Sequence, residues 1–430
     1  MEPWTLILRA ALGLAFFCFA AWLLSSDRRR FPWRVTFAGI GMQVVLALLI
    51  MKTDSGRIAF EHMAAFFTTL VGKAAPGAEL VFGPLANPGT LSEAFPSELA
   101  AQGVGFIFAF AGSGLLVIIF FSALMSVLYH LGVMQVLVWL FAKLLNKGLG
   151  VSGAESMAMA ANVFVGQTEA PLVVKPYIAG MTRSELNALM TGGFATIAGS
   201  VLAVYLGILG PELGPHLLTA SVLSAPAALV MAKIMRPETE LSTTAGNVEL
   251  RIEKNASNLV EAAANGTTDG LKLYLNVIAM LVAFVGLVAV VDWPLEWIND
   301  TFVHRPEGLS LSVLFGWVFA PVAWLMGVES WSDCQLFGTL LGVKVAINEF
   351  VAMSALHDMA GGGFESQRSS IMAAYALCGF ANFGSIGIQI GGISALAPER
   401  KTDLAKLAVK AMIGGAFASW MTATVAGAFL

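Results

Sequence analysis

The sequence predicts an all-α integral membrane protein of about eight transmembrane helices, with two re-entrant hairpins and interfacial helices arranged as an inverted repeat. Three observations lead there. Of 430 residues, 57% are hydrophobic and 12% are charged, and the mean hydropathy is +0.78. Soluble domains carry roughly 25% charged residues. Several apolar runs reach the roughly 20 residues that cross a bilayer. Lastly, two stretches echo each other. Gly166-Gln167-Thr168-Glu169-Ala170-Pro171 is followed by Gly193-Phe194-Ala195-Thr196-Ile197, and Ile347-Asn348-Glu349-Phe350-Val351 by Gly379-Phe380-Ala381-Asn382-Phe383-Gly384-Ser385. A carboxylate in an apolar segment is expensive and marks a pathway or a site. Two of them in repeated contexts point to a transporter with its site between the halves.

The elements follow in order. Arg9 sits inside the first apolar run, and no small-x-small site precedes Asp27, so the first segment reads as a retained helix. The spans are Leu6–Leu24, Val35–Met51, Val104–Leu128, Leu186–Leu209, Leu217–Met235, Leu271–Val291, Ile371–Ala395 and Leu404–Leu430. Residues 57–72 and 131–147 are shorter and amphipathic, the second with Lys143 and Lys147, and are expected along the interface. Residues 255–268 are polar enough for an interfacial or cytoplasmic helix, within a connector over 236–270. Gly361-Gly362-Gly363 reads as a flexible joint after the second hairpin or as an ordinary turn. This gives five blocks: peripheral helices with an outer loop (1–103), a scaffold span and interfacial helix (104–147), a first core half (148–235), a connector with a span and outer segment (236–329), and a second core half (330–430).

The segments near 151–180 and 330–360 hold the glutamates. The first carries Asn162, Gln167, Thr168, Pro171, Lys175 and Pro176, too many breakers and polar groups for a lipid-facing helix. Irregular backbone at membrane depth survives only when shielded or lining a cavity. Both segments therefore read as re-entrant hairpins. Arg28, Arg29, Arg30 and Arg34 follow the first span and set it cytoplasmic on that side. Lys143, Lys147, Arg183, Lys233, Arg236, Arg251, Lys254, Arg400, Lys401, Lys406 and Lys410 fall on the same side only if each hairpin returns to the face it entered from. One then enters from each face, and each is followed by two spans, an inverted repeat obtained from charge alone. The Gly-Phe-Ala triplets mark facing broken spans. The glycines around Asn382 and Ser385 weaken helix there and expose backbone to a ligand.

Several classes are excluded. Cys18, Cys334 and Cys378 are dispersed in apolar segments, so there is no disulfide framework and no Cys-rich metal site. The five histidines fall near span ends or on an amphipathic stretch and read as packing or surface residues. There is no metalloprotease helix, no nucleophile elbow and no P-loop, so the chain reads as no enzyme and no direct user of ATP. Transport must be ion-coupled. Nothing resembles a nucleic-acid surface.

At these residues the chain resembles the concentrative nucleoside transporters, the sodium- or proton-coupled nucleoside symporters. The matching strings are Phe120-Phe121-Ser122-Ala123-Leu124, Leu131-Gly132-Val133-Met134-Gln135, Asn162 through Pro171, Gly193 through Ser200, Asn348 through Ala352, and Cys378 through Gly387. They cover about residues 100–430 in the right order. The resemblance implies a homotrimer in a cell inner membrane, multi-pass, each protomer with its own site. It implies that Gln167, Thr168 and Glu169 face the nucleobase. Glu349, with Asn382 and Ser385, would hold the ribose, and Phe380 would belong to the same substrate site. A sodium ion would sit on Asn162, Val165, Thr196 and Ile197. Gly384 departs from the pattern, since many members have serine there, which puts base preference or local flexibility in doubt.

The chemistry agrees. An ionised carboxylate accepts hydrogen bonds only, so Glu349 suits a vicinal diol, and Gln167, both donor and acceptor, suits a base edge. A hard cation prefers oxygen ligands. Two alternatives stay open, proton coupling through Glu169 or Glu349 and a polar-lined channel; the missing catalytic motifs argue against an intramembrane enzyme. Purine against pyrimidine preference is not fixed.

Overall fold

The computed structural model describes residues 3–86, 113–245, 256–305, 308–360 and 363–430. The start of the expected span Val104–Leu128, the basic residues Arg251 and Lys254, and Gly361-Gly362 lie outside the described residues. The described residues form helices and no strands.

Four helices open the chain: α1 (Pro3–Leu23), α2 (Trp33–Met51), α3 (Asp54–Gly72) and α4 (Ala75–Phe82). Next come α5 (Ser113–His130) and α6 (Val133–Leu149), which meet at a bend of 78°. Hairpin 1 consists of α7 (Gly153–Phe164), a tip over 165–169, and the short returning turns α8 (Ala170–Val173) and α9 (Lys175–Ile178). A broken span follows, α10 (Arg183–Ala195) and α11 (Gly199–Leu209), and then an unbroken one, α12 (Gly214–Met235). The connector leads to α13 (Leu259–Ile298) and α14 (Leu311–Met326). Hairpin 2 is α15 (Trp331–Ala346) and α16 (Glu349–Ala360). The second broken span is α17 (Gln367–Leu377) and α18 (Phe383–Leu396), and α19 (Lys401–Phe429) closes the chain. Among the described residues six helices are long and apolar enough to cross a membrane, or up to eight if each bent pair counts as one.

Two regions differ from the sequence expectation. Residues 259–268 are not a separate interfacial helix. They are the first turns of the 40-residue α13, capped by the Asn258 side chain on the Glu261 N–H at 2.9 Å. No proline interrupts it before Pro294. At 1.5 Å per residue it is about 60 Å long, twice a bilayer core. It runs along α5, where the Ser126 hydroxyl donates to the Ala262 carbonyl at 2.7 Å. The second difference is α14, which lies in the part of the chain read only as an outer segment and turns into α15 through 113°.

The inverted repeat is visible in the packing. α10 lies on α19 and α17 on α12, while α11 lies on α16 and α18 on α8. Each broken span thus rests on the hairpin and the unbroken span of the other half. Basic side chains gather at one end. Lys233 pairs with Glu155 and donates to the Ser184 hydroxyl at 2.9 Å, Arg183 meets Asp403 at 3.2 Å, and Arg400 donates to the Met181 carbonyl at 2.6 Å. Hairpin 1 begins here, with a capping box of Ser152 and Glu155. At the far end Arg368 donates to the Gly427 carbonyl at 2.6 Å and the Gly327 carbonyl at 2.9 Å. Hairpin 2 begins there at the Ser330 N-cap, and its Asp333 accepts from the Glu365 N–H at 2.8 Å, holding the entry to α17.

Candidate functional site

The two span breaks touch. Thr196 leaves α10 in an extended conformation (φ −119°, ψ 169°), and its carbonyl accepts the Phe380 N–H at 3.3 Å. A Cβ on Gly379 would lie 2.9 Å from the carbonyl oxygens of both Phe194 and Ala195. A Cβ on Gly193 would lie 2.7 Å from Gln389 Nε2 and 3.0 Å from Gln167 Cβ. The glycine of each Gly-Phe-Ala triplet is therefore where another segment comes too close for a side chain.

On one side of this contact lies an all-acceptor cluster. Asn162 donates its Nδ2 to the Ala158 carbonyl at 3.0 Å, which turns Oδ1 outward. That oxygen is buried and has no hydrogen-bond partner among the described residues. Thr196 donates its hydroxyl hydrogen to the Gly192 carbonyl at 2.9 Å, which leaves its lone pairs free. Val165 is extended (φ −122°, ψ 163°) and Ile197 lies in the linker between α10 and α11, and neither carbonyl accepts a backbone hydrogen bond among the described residues. The segments are adjacent, since a Gly199 Cβ would lie 3.0 Å from the Phe164 carbonyl oxygen. The C-termini of α7 and α10 converge here, with their negative dipole ends. The arrangement fits a hard cation and leaves a buried acceptor unsatisfied without one.

On the other side lies a mixed network. Asn382 caps α18 by accepting from the Ser385 N–H at 2.8 Å, and its Nδ2 donates to Glu349 Oε2 at 2.8 Å. Gln167 donates to the Ser385 hydroxyl at 3.3 Å and accepts from Gln389 Nε2 at 3.0 Å. Gln389 donates as well to the Met190 carbonyl at 3.1 Å. Hydrogen bonds therefore run from hairpin 1 through α18 to hairpin 2. Phe380 is buried at the break.

The expected base-reading trio divides. Gln167 enters the network and Thr168 is exposed. Glu169 folds back over Gly166 and places a buried, unpartnered Oε2 beside a cavity of about 440 Å³. That cavity lies between α5 and α13 on one side and the hairpin 1 tip and α11 on the other, lined by Tyr129, Glu169, Ser200, Asn265 and Asp269 among others. Lys344, five residues before Glu349 on hairpin 2, makes no ion pair with it. Its buried ammonium donates to the Ala376 carbonyl and the Ser419 hydroxyl, both at 2.8 Å.

Sequence reasoning passed over Gln389 and Tyr205. Gln389 lies one helical turn beyond Ser385 and two beyond Asn382, so helical spacing alone puts it on their face. Tyr205 is fully buried on α11 and interacts electrostatically with Glu349. Nothing in its apolar sequence surroundings distinguishes it.

An inverted repeat of re-entrant hairpins and broken helices, with buried polar groups at the breaks, is the architecture of a membrane carrier. The chain belongs to the Na+ dependent nucleoside transporter family. Its residues 12–85 match the family's N-terminal model, residues 216–427 the C-terminal model, and residues 113–212 a model described as nucleoside recognition. An uncharacterized transporter of Haemophilus influenzae is 41% identical over 99% of this chain and 98% of its own length. Solute carrier family 28 member 3 of Mus musculus is 41% identical over 96% of this chain, and sodium/nucleoside cotransporter 1 of Rattus norvegicus is 39% identical over the same share. The chain spans 58% and 62% of those two longer proteins. Among solved structures, CNTnw in an inward-facing substrate-bound state superimposes with a TM-score of 0.88 at 39% identity, covering 99% of this chain and 98% of that one. A CNTnw variant in an outward-facing state gives 0.90 at 38% identity, covering 99% of each. The family is one of transporters, not enzymes, and sodium is its coupling ion.

Proposed function

We propose that the chain is a sodium–nucleoside symporter that imports nucleosides across a cell inner membrane, as a homotrimer in which each protomer has its own site. The observation that carries this reading is the apposition of the two breaks, with acceptors only on one side and a donor–acceptor network on the other. Asn162 Oδ1, the Thr196 hydroxyl and the Val165 and Ile197 carbonyls hold sodium. Glu349 accepts the ribose hydroxyls, positioned by Asn382, with Ser385 and Phe380 beside it. Gln167 meets the base from within the network, and Thr168 and Glu169 complete the hairpin 1 tip beside it.

The Gln167–Ser385 and Asn382–Glu349 hydrogen bonds keep these polar groups satisfied until substrate replaces them. Charge-assisted bonds from a diol to Glu349 are roughly twice as strong as neutral ones, so the exchange favours the nucleoside. A membrane potential of about 100 mV supplies ~2.3 kcal/mol per sodium ion and a tenfold gradient adds ~1.4 kcal/mol, which supports roughly 500-fold accumulation.

The second reading, proton coupling, draws on the buried, unpartnered Oε2 of Glu169. One experiment separates the two: uptake of radiolabelled uridine and adenosine into proteoliposomes, with sodium and pH gradients varied independently. Uphill uptake driven by sodium at equal pH supports the symporter. Uptake that ignores sodium and follows pH gives the role to Glu169 or Glu349. Uptake that never exceeds equilibrium leaves a channel.

A further inference from the structure

We infer that Gln389 sets the hydrogen-bonding polarity of the base reader, so that Gln167 presents N–H donors to the substrate and the site favours nucleosides whose base offers a carbonyl acceptor there. This rests on the proposal that Gln167 meets the base.

The argument starts from a backbone group. Met190 on α10 offers a carbonyl oxygen, which can only accept. Gln389 Nε2 lies 3.1 Å from it, so the amide nitrogen of Gln389 must face it. The opposite orientation would set two acceptors against each other. The same Nε2 lies 3.0 Å from Gln167 Oε1, so the second amide hydrogen of Gln389 goes there. Both hydrogens of Gln389 are then used, and Gln167 has its oxygen occupied. Its Nε2 is left for Ser385, at a long 3.3 Å, and for whatever enters the site.

A glutamine side chain alone can turn over and read either a donor or an acceptor. Here the choice has been made by a main-chain carbonyl one residue away in the relay. Gln389 is 1% and Gln167 7% exposed, so water does not compete to reverse the order. The absence of a side chain at Gly193 lets the two amides lie this close. Gln389 Oε1 is buried with no partner among the described residues, an imbalance consistent with a side chain held for its donors. Gln389 is a positioning residue: it acts through Gln167.

Uridine and cytidine test this, because uridine offers a carbonyl acceptor beside a ring N–H where cytidine offers an amino donor beside an unprotonated ring nitrogen, so a donor fixed toward the exocyclic group suits only uridine. Gln389→Glu replaces the donor with a carboxylate, which attracts the Gln167 amino group and turns the Gln167 carbonyl toward the base. Gln389→Leu removes the constraint without adding charge. Gln167→Glu presents acceptors directly. The measurement is the ratio of kcat/KM for uridine to that for cytidine in proteoliposomes, on protein with an unchanged size-exclusion profile. Wild type is expected to favour uridine. The ratio should fall at least fivefold in Gln389→Glu and in Gln167→Glu, and toward one in Gln389→Leu, with the sodium dependence unchanged. A role in packing alone would lower both rates and leave the ratio where it was. If Gln167→Glu moves the ratio and neither Gln389 variant does, the relay is overturned while the base-reading role stands. If Gln167→Glu does not move it, the base-reading role falls and takes the relay with it. If Gln389→Glu does not fold, Gln389→Leu alone decides.

Discussion

Glu349→Gln is the sharpest test of the ribose assignment, because the substitution changes charge with almost no change in shape. In the structure Glu349 is 7% exposed and takes the Asn382 amide at 2.8 Å. A glutamine oxygen can accept the same bond, so the cap on α18 and the network to Gln167 should survive. What is lost is the second charge-assisted acceptor and the charge itself. Hydrogen bonds to charged groups contribute about 1.5–3 kcal/mol and neutral ones about 0.5–1.5. The difference is about 1–1.5 kcal/mol per hydroxyl, or about 2–3 kcal/mol for a diol. At 1.4 kcal/mol per tenfold, kcat/KM for uridine should fall roughly 30- to 150-fold.

The assay is sodium-driven uptake in proteoliposomes with uridine and with 3′-deoxyuridine. Wild type should lose most of its advantage when the hydroxyl is removed. The variant should scarcely notice, because its penalty has already been taken. The reasoning is refuted if Glu349→Gln transports uridine within threefold of wild type. It is refuted equally if the variant is slow but pays the same further penalty for the missing hydroxyl, since Glu349 would then act elsewhere in the cycle.

Three further outcomes are expected. Asn162→Ala removes one of four proposed sodium ligands and should raise the sodium concentration for half-maximal uptake at least tenfold, a loss of about 1.4 kcal/mol, with nucleoside KM recovering at saturating sodium; an unchanged sodium titration would remove Asn162 from the ion site. Gly379→Ala puts a methyl 2.9 Å from two main-chain oxygens that cannot swing aside, so uptake should drop more than tenfold and the melting temperature should fall; wild-type behaviour would mean that the breaks part without cost. Lys344→Met strips the buried ammonium from the Ala376 carbonyl and should cost about 1–3 kcal/mol of stability, read as a lower melting temperature in detergent; no shift would show that water or a neighbouring group satisfies that carbonyl equally well.

The architecture was readable from charge and breakers. The positions of Arg183, Lys233 and Arg400 required the hairpins to turn back, and their side chains do meet at one end. The echoing Gly-Phe-Ala triplets marked both breaks, and the packing explains why. What escaped the sequence was long-range in each case. The polar start of α13 looks interfacial by composition, but nothing in it stops a helix, and a glycine or a polar residue is no terminus without a competing cap. Gln389 is a single amide in a glycine-rich run, and its significance depends on Met190, 199 positions away. Lys344 lies only five residues before Glu349, and opposite charges so close in sequence would be expected to pair. The ammonium instead takes the carbonyl orphaned at the end of α17, where the last four carbonyls of a helix lack partners.

The contact between the breaks bears on coupling. Two ligands influence each other only through an element whose state both of them bias, and the influence is reciprocal in free energy. On the proposed assignment the ion rests on Thr196 and Ile197 and the sugar on Asn382 and Glu349. Between them lie two main-chain hydrogen bonds: Phe380 N–H to the Thr196 carbonyl at 3.3 Å, and Asn382 N–H to the Phe380 carbonyl at 2.9 Å. Both belong to unwound segments, which have no helical ladder to hold them independently. An ion that fixes Thr196 therefore also fixes the residue before Ala381 and Asn382, and ordering one break lowers the entropy cost of ordering the other. The factor by which sodium tightens nucleoside binding must equal the factor by which nucleoside tightens sodium, and both should shrink together when Gly379 is made too large for the breaks to meet.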